Sequence, residues 1–367
     1  MLGKNYLHLE ANHDEGARDA FVLSRKLHIN LDMSPGLKTV YEKRAVPAFE
    51  KEHGRPPKDR HEVRRQMLEE DYFQMWGSLW RTAQHLMWES SETKVDRQLP
   101  DLVRKAKAKG PKLGSIRLDP KLKVPRYVTA VNIHGQPGGY GLDQSDDDVS
   151  AGAFYEQGML LYGRGQGGTA TDNPAQNIAD FVKATYPGLK PKKILDEGSS
   201  IGGCLPTMAK NFPGAELHAI EVSGGMVRYG HRRMEDMGLA VHFSQQNAEH
   251  TNFPDESFDL VVSNIMLHET STKAFYNIMK DCHRILKRGG VVVHLDVPLR
   301  NKDLDLYTEW YRDWSTHFNN EPFWGKLHDM DVIEPLVEAG FAREKTFDSY
   351  LKSRSGDRAW WACGAQK

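Results

Sequence analysis

The chain has 367 residues, enough for two domains or for one core with a large appendage. Its 49 Lys and Arg against 50 Asp and Glu leave a formal net charge of -1, so no overall field draws it to nucleic acid or to an anionic membrane. The three cysteines, Cys204, Cys282 and Cys363, give neither a disulfide framework nor a C-x-x-C metal pair. With no apolar stretch of about 18 residues and no leader-like start, a soluble protein of a reducing cytoplasm is expected.

In chain order, Asp14 to Leu27 has helical spacing, Pro35 interrupts it, and Leu37 to Glu52 resumes a helix with a break at Pro47. A turn over residues 53–59 leaves Asp59 as the N-cap of a helix from Arg60 to Ser90. There Tyr72, Trp76 and Trp80 fall four residues apart, an aromatic stripe that serves as core, as the wall of an acceptor pocket, or as a homodimer contact. Arg104 to Arg126 is basic, but no aromatic residue precedes Tyr127 to stack a base, which favours a solvated face over RNA binding. Asp146, Asp147 and Asp148 form a solvated turn rather than a metal site. His8, Glu10 and His13 sit on a chain end that frays. Tyr127 to Ile133 alternates as a strand does, and a glycine-rich hinge at 165–168 followed by a helix start at Pro174 marks a domain boundary. The expected division is a mainly helical domain over 1–165 and an α/β domain over 166–367.

The stretch from Lys192 to Glu221 organises that second domain. A buried strand (Ile194, Leu195, Asp196), a small-residue turn (Gly198 to Gly203), a helix to about Asn211 and a second strand (Glu216 to Ile220) form a βαβ unit with a nucleoside-sized slot at its carboxyl edge. Gly198 and Gly202 let backbone approach a ligand where a Cβ would collide. Glu221 ends the second strand, where a carboxylate accepts both hydroxyls of a ribose. The spacing Gly198-x-x-x-Gly202-Gly203 is not the pyrophosphate turn G-x-G-x-x-G, which counts against an NAD(P)-dependent oxidoreductase.

The frame Asp196-x-Gly198-x-x-x-Gly202 resembles the first motif of class I S-adenosylmethionine-dependent methyltransferases, with Ser200 where a glycine is usual. Later segments follow in family order: Gln246-Asn247-Ala248-Glu249 before Phe253-Pro254-Asp255, then Ser257 to Asn264 as the fourth strand with Ile265-Met266-Leu267-His268 as its exit, and Leu286-Lys287-Arg288-Gly289-Gly290 leading into the fifth. The likeness is to the ubiquinone/menaquinone-methyltransferase-like branch and covers about residues 177–367. It implies a Rossmann-like seven-stranded sheet closed by an antiparallel hairpin (345–351 with 358–363), and S-adenosylmethionine as cofactor. It further implies cofactor contacts from Asp196, Gly198, Ser200, Gly202, Glu221, Val222, Asn247, Ala248 and Asn264. In such relatives the segment before the first strand folds over the methionine end of the cofactor, which makes Tyr155, Tyr162 and Arg164 candidates there.

Methyl transfer from a sulfonium requires donor carbon and acceptor about 3 Å apart in a dry slot, and a base only where the acceptor must lose a proton. His268, just past the fourth strand, is the first candidate base, and His317 the second. The residues Tyr307, Trp310, Tyr311, Trp314 and Phe318 supply aromatic walls for a flat or apolar acceptor, or seal a domain interface. Asn264-Ile265-Met266-Leu267 lacks the Pro-Pro-aromatic tetrad of enzymes that methylate base amines. The expectation is a metal-independent enzyme that methylates a small molecule, on oxygen or sulfur rather than carbon or nitrogen. An NAD(P)-dependent oxidoreductase and a cofactor-binding protein without turnover are the rivals.

Overall fold

The computed structural model describes residues 7–107, 112–165, 173–297, 304–352 and 359–367. Eight strands form one sheet: β1 Ser115–Arg117, β2 Lys193–Glu197, β3 Glu216–Glu221, β4 Val241–Gln245, β5 Phe258–Asn264, β6 Leu286–Asp296, β7 Thr346–Lys352 and β8 Ala359–Gln366. Their order is β1-β4-β3-β2-β5-β6-β8-β7. All pairs are parallel except those of β8, which runs antiparallel to both β6 and β7.

The apolar runs of the central strands explain their place, because a parallel sheet is covered on both faces. Side chains alternate: Ile194, Leu260, Val262, Val291 and Val293 pack into one core, and Leu195, Val261 and Val292 into the other. The first core is closed by the helices Pro174–Thr185, Leu205–Asn211 and Gly224–Asp236, through Ile178, Val182, Leu205, Met208, Val227 and Met234. The helix Thr272–Ile285 covers the second core with Phe275, Ile278, Met279 and Cys282. Its start is fixed by Ser271, whose hydroxyl accepts the Ala274 amide at 3.1 Å.

Several first-half elements differ from the sequence expectation. Residues 13–53 run on as helical turns through both prolines, because wider turns at Ile29–Met33 and Tyr41–Ala45 precede Pro35 and Pro47. A π-type turn shifts the bonding register where a proline ring lacks its donor. The helix begun at Arg60, capped by Asp59 as expected, stops at Met67, and a new one spans Asp71–Lys107. Residues 127–133 form no strand: Arg126–Thr129 is one helical turn and Ile133–Gly135 another. The eighth strand, β1, comes from the basic stretch and adds an edge beside β4. Two short helices, Lys326–Asp329 and Ile333–Glu338, precede the closing hairpin. The hinge expected at residues 166–168 lies outside the described residues.

The first half packs onto the sheet domain rather than standing apart. Leu7, Val95, Leu102, Val149 and Phe154 share a core with Ile201 and Tyr229 of the later half. The helix Ser150–Gly165 crosses Gly224–Asp236 so closely at Gly152 that an added Cβ would fall inside the Tyr229 side chain. Of the stripe, Trp76 and Trp80 are core, joined by Phe73 and Trp310, with Tyr72, Tyr311, Trp314 and Phe318 packed at the flank of the cluster. Asp147 pairs with Lys107 at 2.5 Å, and Asp148 accepts the amides of Gln144 and Ser150, so this acidic run is a helix-entry turn. Among the described residues no helix is long and apolar enough to cross a membrane.

Candidate functional site

The order in which strands are added to the sheet reverses between the parallel neighbours β2 and β5, and the crevice at their carboxyl ends is where ligands bind in such sheets. The turn after β2 is built from left-handed residues: Gly198 at φ 60°, Ser200 at φ 46° and Gly202 at φ 80°. At Gly198 a Cβ would come within 2.5 Å of Met266 Cγ, so only glycine lets the turn lie under that side chain. At Gly202 the space is filled by Leu205 and Phe243, so this glycine packs the turn onto its helix and does not face the crevice.

Glu221 ties the turn to β3. Its Oε2 accepts the Ser200 amide at 3.0 Å, and its Oε1 accepts Val222 and Ser223 at 2.8 and 3.2 Å. Burial raises this carboxyl, against the three amides that hold it ionised. Gly198, Ser200, Glu221, Val222, Asn247, Ala248 and Asn264 line one cavity, as the sequence places them. The Asn247 amide is turned onto Glu249, accepting its backbone N–H at 3.0 Å, so the wall it offers is mainly the chain around Ala248. Asp196 lies behind the wall, 1% exposed, and burial together with Glu221 raises its carboxyl to about 8.

Two expected contacts fall elsewhere. Tyr162 does not line the cavity; its ring packs beside His134 and over the Lys26 ammonium. The Arg164 side chain lies outside the described residues. Tyr155 does line the cavity. The rest of the far wall was not read from sequence: Tyr127, Val128, Ile133 and Tyr140 descend from the first half, and Met266, Glu269 and Thr270 rise from the β5 exit. Tyr127 latches this roof by donating its hydroxyl to Glu249 Oε1 at 3.0 Å.

Neither candidate base is supported. His268 is 2% exposed, does not line the cavity, and has Nδ1 at 2.6 Å from Asp296 Oδ1 and Nε2 at 3.3 Å from Glu269 Oε1. Burial opposes its charge, but Asp296 and Glu269 outweigh burial and raise the ring well above the usual histidine range. A ring held in its acid form between two carboxylates is not a free base. His317 lies 3.6 Å from Asp313 and faces the Arg60 and Arg64 side of the aromatic cluster, remote from the lining residues.

The residues present fit an adenosyl cofactor on their own terms. Glu221 Oε2, which takes one amide, keeps an acceptor site at a strand tip for a ribose hydroxyl. Asn264 Oδ1, on the cavity lining, is a buried acceptor without a hydrogen-bond partner, suited to an ammonium group.

Strand order with one antiparallel insertion, the glycine turn and the acid at the tip of β3 define the class I S-adenosylmethionine-dependent methyltransferase fold. The family profile described as "Methyltransferase domain" matches residues 194–290, so the later part of this chain is a domain of that class. The chain is 29% identical over 161 residues to a ubiquinone/menaquinone biosynthesis C-methyltransferase UbiE of Vibrio campbellii, covering 41% of this chain and 59% of that protein. It is 30% identical over 153 residues to the protein of the same description from Bartonella henselae, covering 40% and 56%. It thus spans less than two thirds of these relatives. Among solved structures, Haemonchus contortus phosphoethanolamine N-methyltransferase 2 with S-adenosyl-L-methionine aligns at 18% identity and a TM-score of 0.41, over 52% of each chain.

Proposed function

We propose that the protein transfers the methyl group of S-adenosylmethionine to a hydroxyl or thiol of a small, flat or apolar acceptor. One observation carries the reading: a single cavity is lined by Gly198, Ser200 and Glu221 together with Tyr127, Tyr140, Tyr155 and Met266. Glu221 would take the ribose, the backbone around Ala248 the adenine, and Asn264 the methionine ammonium, with Asp196 behind the wall. The bound cofactor supplies an electrophilic methyl carbon. The chain's own task is to hold the acceptor about 3 Å away and keep water out, which the roof from the first half does. Residues 1–165 act in this reading as that roof. Glu269 is the carboxylate on the acceptor wall, and His134 and His268 keep it ionised against burial, so it can accept a hydrogen bond from the acceptor's hydroxyl or thiol.

A second reading is methylation at carbon, favoured by the C-methyltransferase description of the relatives from Vibrio campbellii and Bartonella henselae. Incubation with methyl-labelled S-adenosylmethionine and a panel of phenols, thiols and quinols separates the two. Mass spectrometry of the products is expected to place the label on oxygen or sulfur. Label on ring carbon would transfer the assignment to the second reading. Cofactor binding with no S-adenosylhomocysteine formed across the panel would leave a binding protein without turnover.

A further inference from the structure

Beside the cavity lies a cluster that the reading above uses only through one carboxylate. Glu269 Oε1 stands 3.3 Å from His134 Nε2 and 3.3 Å from His268 Nε2. Glu321, fully buried, brings Oε2 to 3.7 Å from that same His268 nitrogen. One donor atom from each of His134, Glu269 and Glu321 lies within 4.8 Å of the other two. The 3.3 Å separation of His134 Nε2 and Glu269 Oε1 is the edge set between two donors by a tetrahedral first-row divalent ion with bonds of about 2.0–2.2 Å.

Two independent features point to a cation. Glu269 Oε2 and Glu321 Oε2 are buried acceptors with no hydrogen-bond partner, although each residue's other oxygen is engaged. His134 is also backed as a metal-bound histidine is, and His268 beside it is fixed in place. Asp296 Oδ1 holds His268 Nδ1 at 2.6 Å and Glu321 Oε1 holds His134 Nδ1 at 3.0 Å, while the same Glu321 oxygen takes the Asn319 amide at 2.5 Å. Those contacts turn each Nε2 toward Glu269.

We propose that His134, Glu269 and Glu321 bind one divalent first-row metal ion beside the cavity, with His268, held by Asp296, placed against the ligand Glu269. One imidazole and two carboxylates suit Zn²⁺, Mn²⁺ or Fe²⁺ better than Ca²⁺ or Mg²⁺, which take oxygen donors. The ligands come from the first half, from the β5 exit and from the segment after β6, so the ion would pin the roof to the sheet domain. This departs from the metal-independent expectation. It stands on side-chain geometry alone and survives even if the methyl-transfer reading fails.

The test is calorimetric titration of chelator-stripped full-length protein with Zn²⁺ and with Mn²⁺, and visible absorption after Co²⁺ addition. One equivalent is expected to bind, with a Co²⁺ band of low-symmetry coordination and a raised Tm. His134→Gln and Glu321→Gln should each weaken binding at least tenfold with unchanged far-UV circular dichroism. His242→Ala, at the remote His218 and His242 pair, should leave it unchanged. If Glu321→Gln does not fold, His134→Gln carries the comparison, since that ring reaches solvent. No saturable one-equivalent binding by the unmodified protein, binding by the variants within twofold of it, or loss of binding in His242→Ala would each overturn the assignment.

Discussion

Ser200 adopts φ 46° in a turn whose other left-handed members are glycines. A side chain in that region costs about 1–2 kcal/mol, which is the physical reason a glycine is usual there. Ser200→Gly is therefore expected to raise stability by about 0.5–1 kcal/mol in urea titration, after the added chain entropy of glycine is subtracted. A drop in stability would mean that the serine side chain makes a compensating contact. Lys26 is a different strain: it is 0% exposed, donates to Gln84 Oε1 at 2.6 Å, and burial lowers its ammonium to about 7. The unfolded chain takes up that proton near 10.4, so the native state binds fewer protons between those values and loses stability as pH falls from about 10 toward 7. Lys26→Met is expected to add about 1–3 kcal/mol at pH 7 and to lose that gain as pH approaches 10. A gain independent of pH would show that packing, not charge, is responsible.

At the scale of elements, the first half is held by a few close contacts between distant segments. Arg60 is 5% exposed and reaches Asp313 at 3.3 Å, Glu309 at 3.1 Å and Asp329 at 2.8 Å, joining the helix Arg60–Met67 to the segments after β6. Arg60→Met leaves the buried Asp313 without its partner and is expected to cost about 3–5 kcal/mol, with Asp313→Asn in the same chain recovering part of it. Equal losses in the single and double variants would mean that the pair is not coupled. Gly152→Ala, forced against Tyr229, should cost about 1–3 kcal/mol by overpacking. A neutral result there would show that the two helices slide apart freely.

For the whole molecule, local sequence carried the sheet further than it carried the site. The unit from Lys193 to Glu221, β5 and the closing hairpin were legible because an apolar run bounded by glycine or a turn fixes a strand without help from elsewhere. The edge strand Ser115–Arg117 was not, since all three of its residues are exposed and nothing in them alternates. Val128 and Ile133 gave a strand-like pattern because they face a cavity, and a cavity wall reads like a core. The role of His268 turned on Asp296, Glu269 and Glu321, and His134 comes from the other half of the chain, so no local spacing could join them. The cofactor end, by contrast, starts from neighbours within the βαβ unit, Gly198, Ser200 and Glu221, and Val222, Asn247, Ala248 and Asn264 line the same cavity from the chain after it.

The account depends above all on an adenosyl group lying across the tips of β2 and β3. Titration calorimetry with S-adenosylhomocysteine, with NADH as the control and with Glu221→Ala beside the unmodified protein, addresses that directly. One equivalent of S-adenosylhomocysteine should bind and NADH should not, and the substitution should weaken binding by about 1–3 kcal/mol through the lost charged hydrogen bonds. Preference for NADH, or equal affinity in Glu221→Ala, would contradict it.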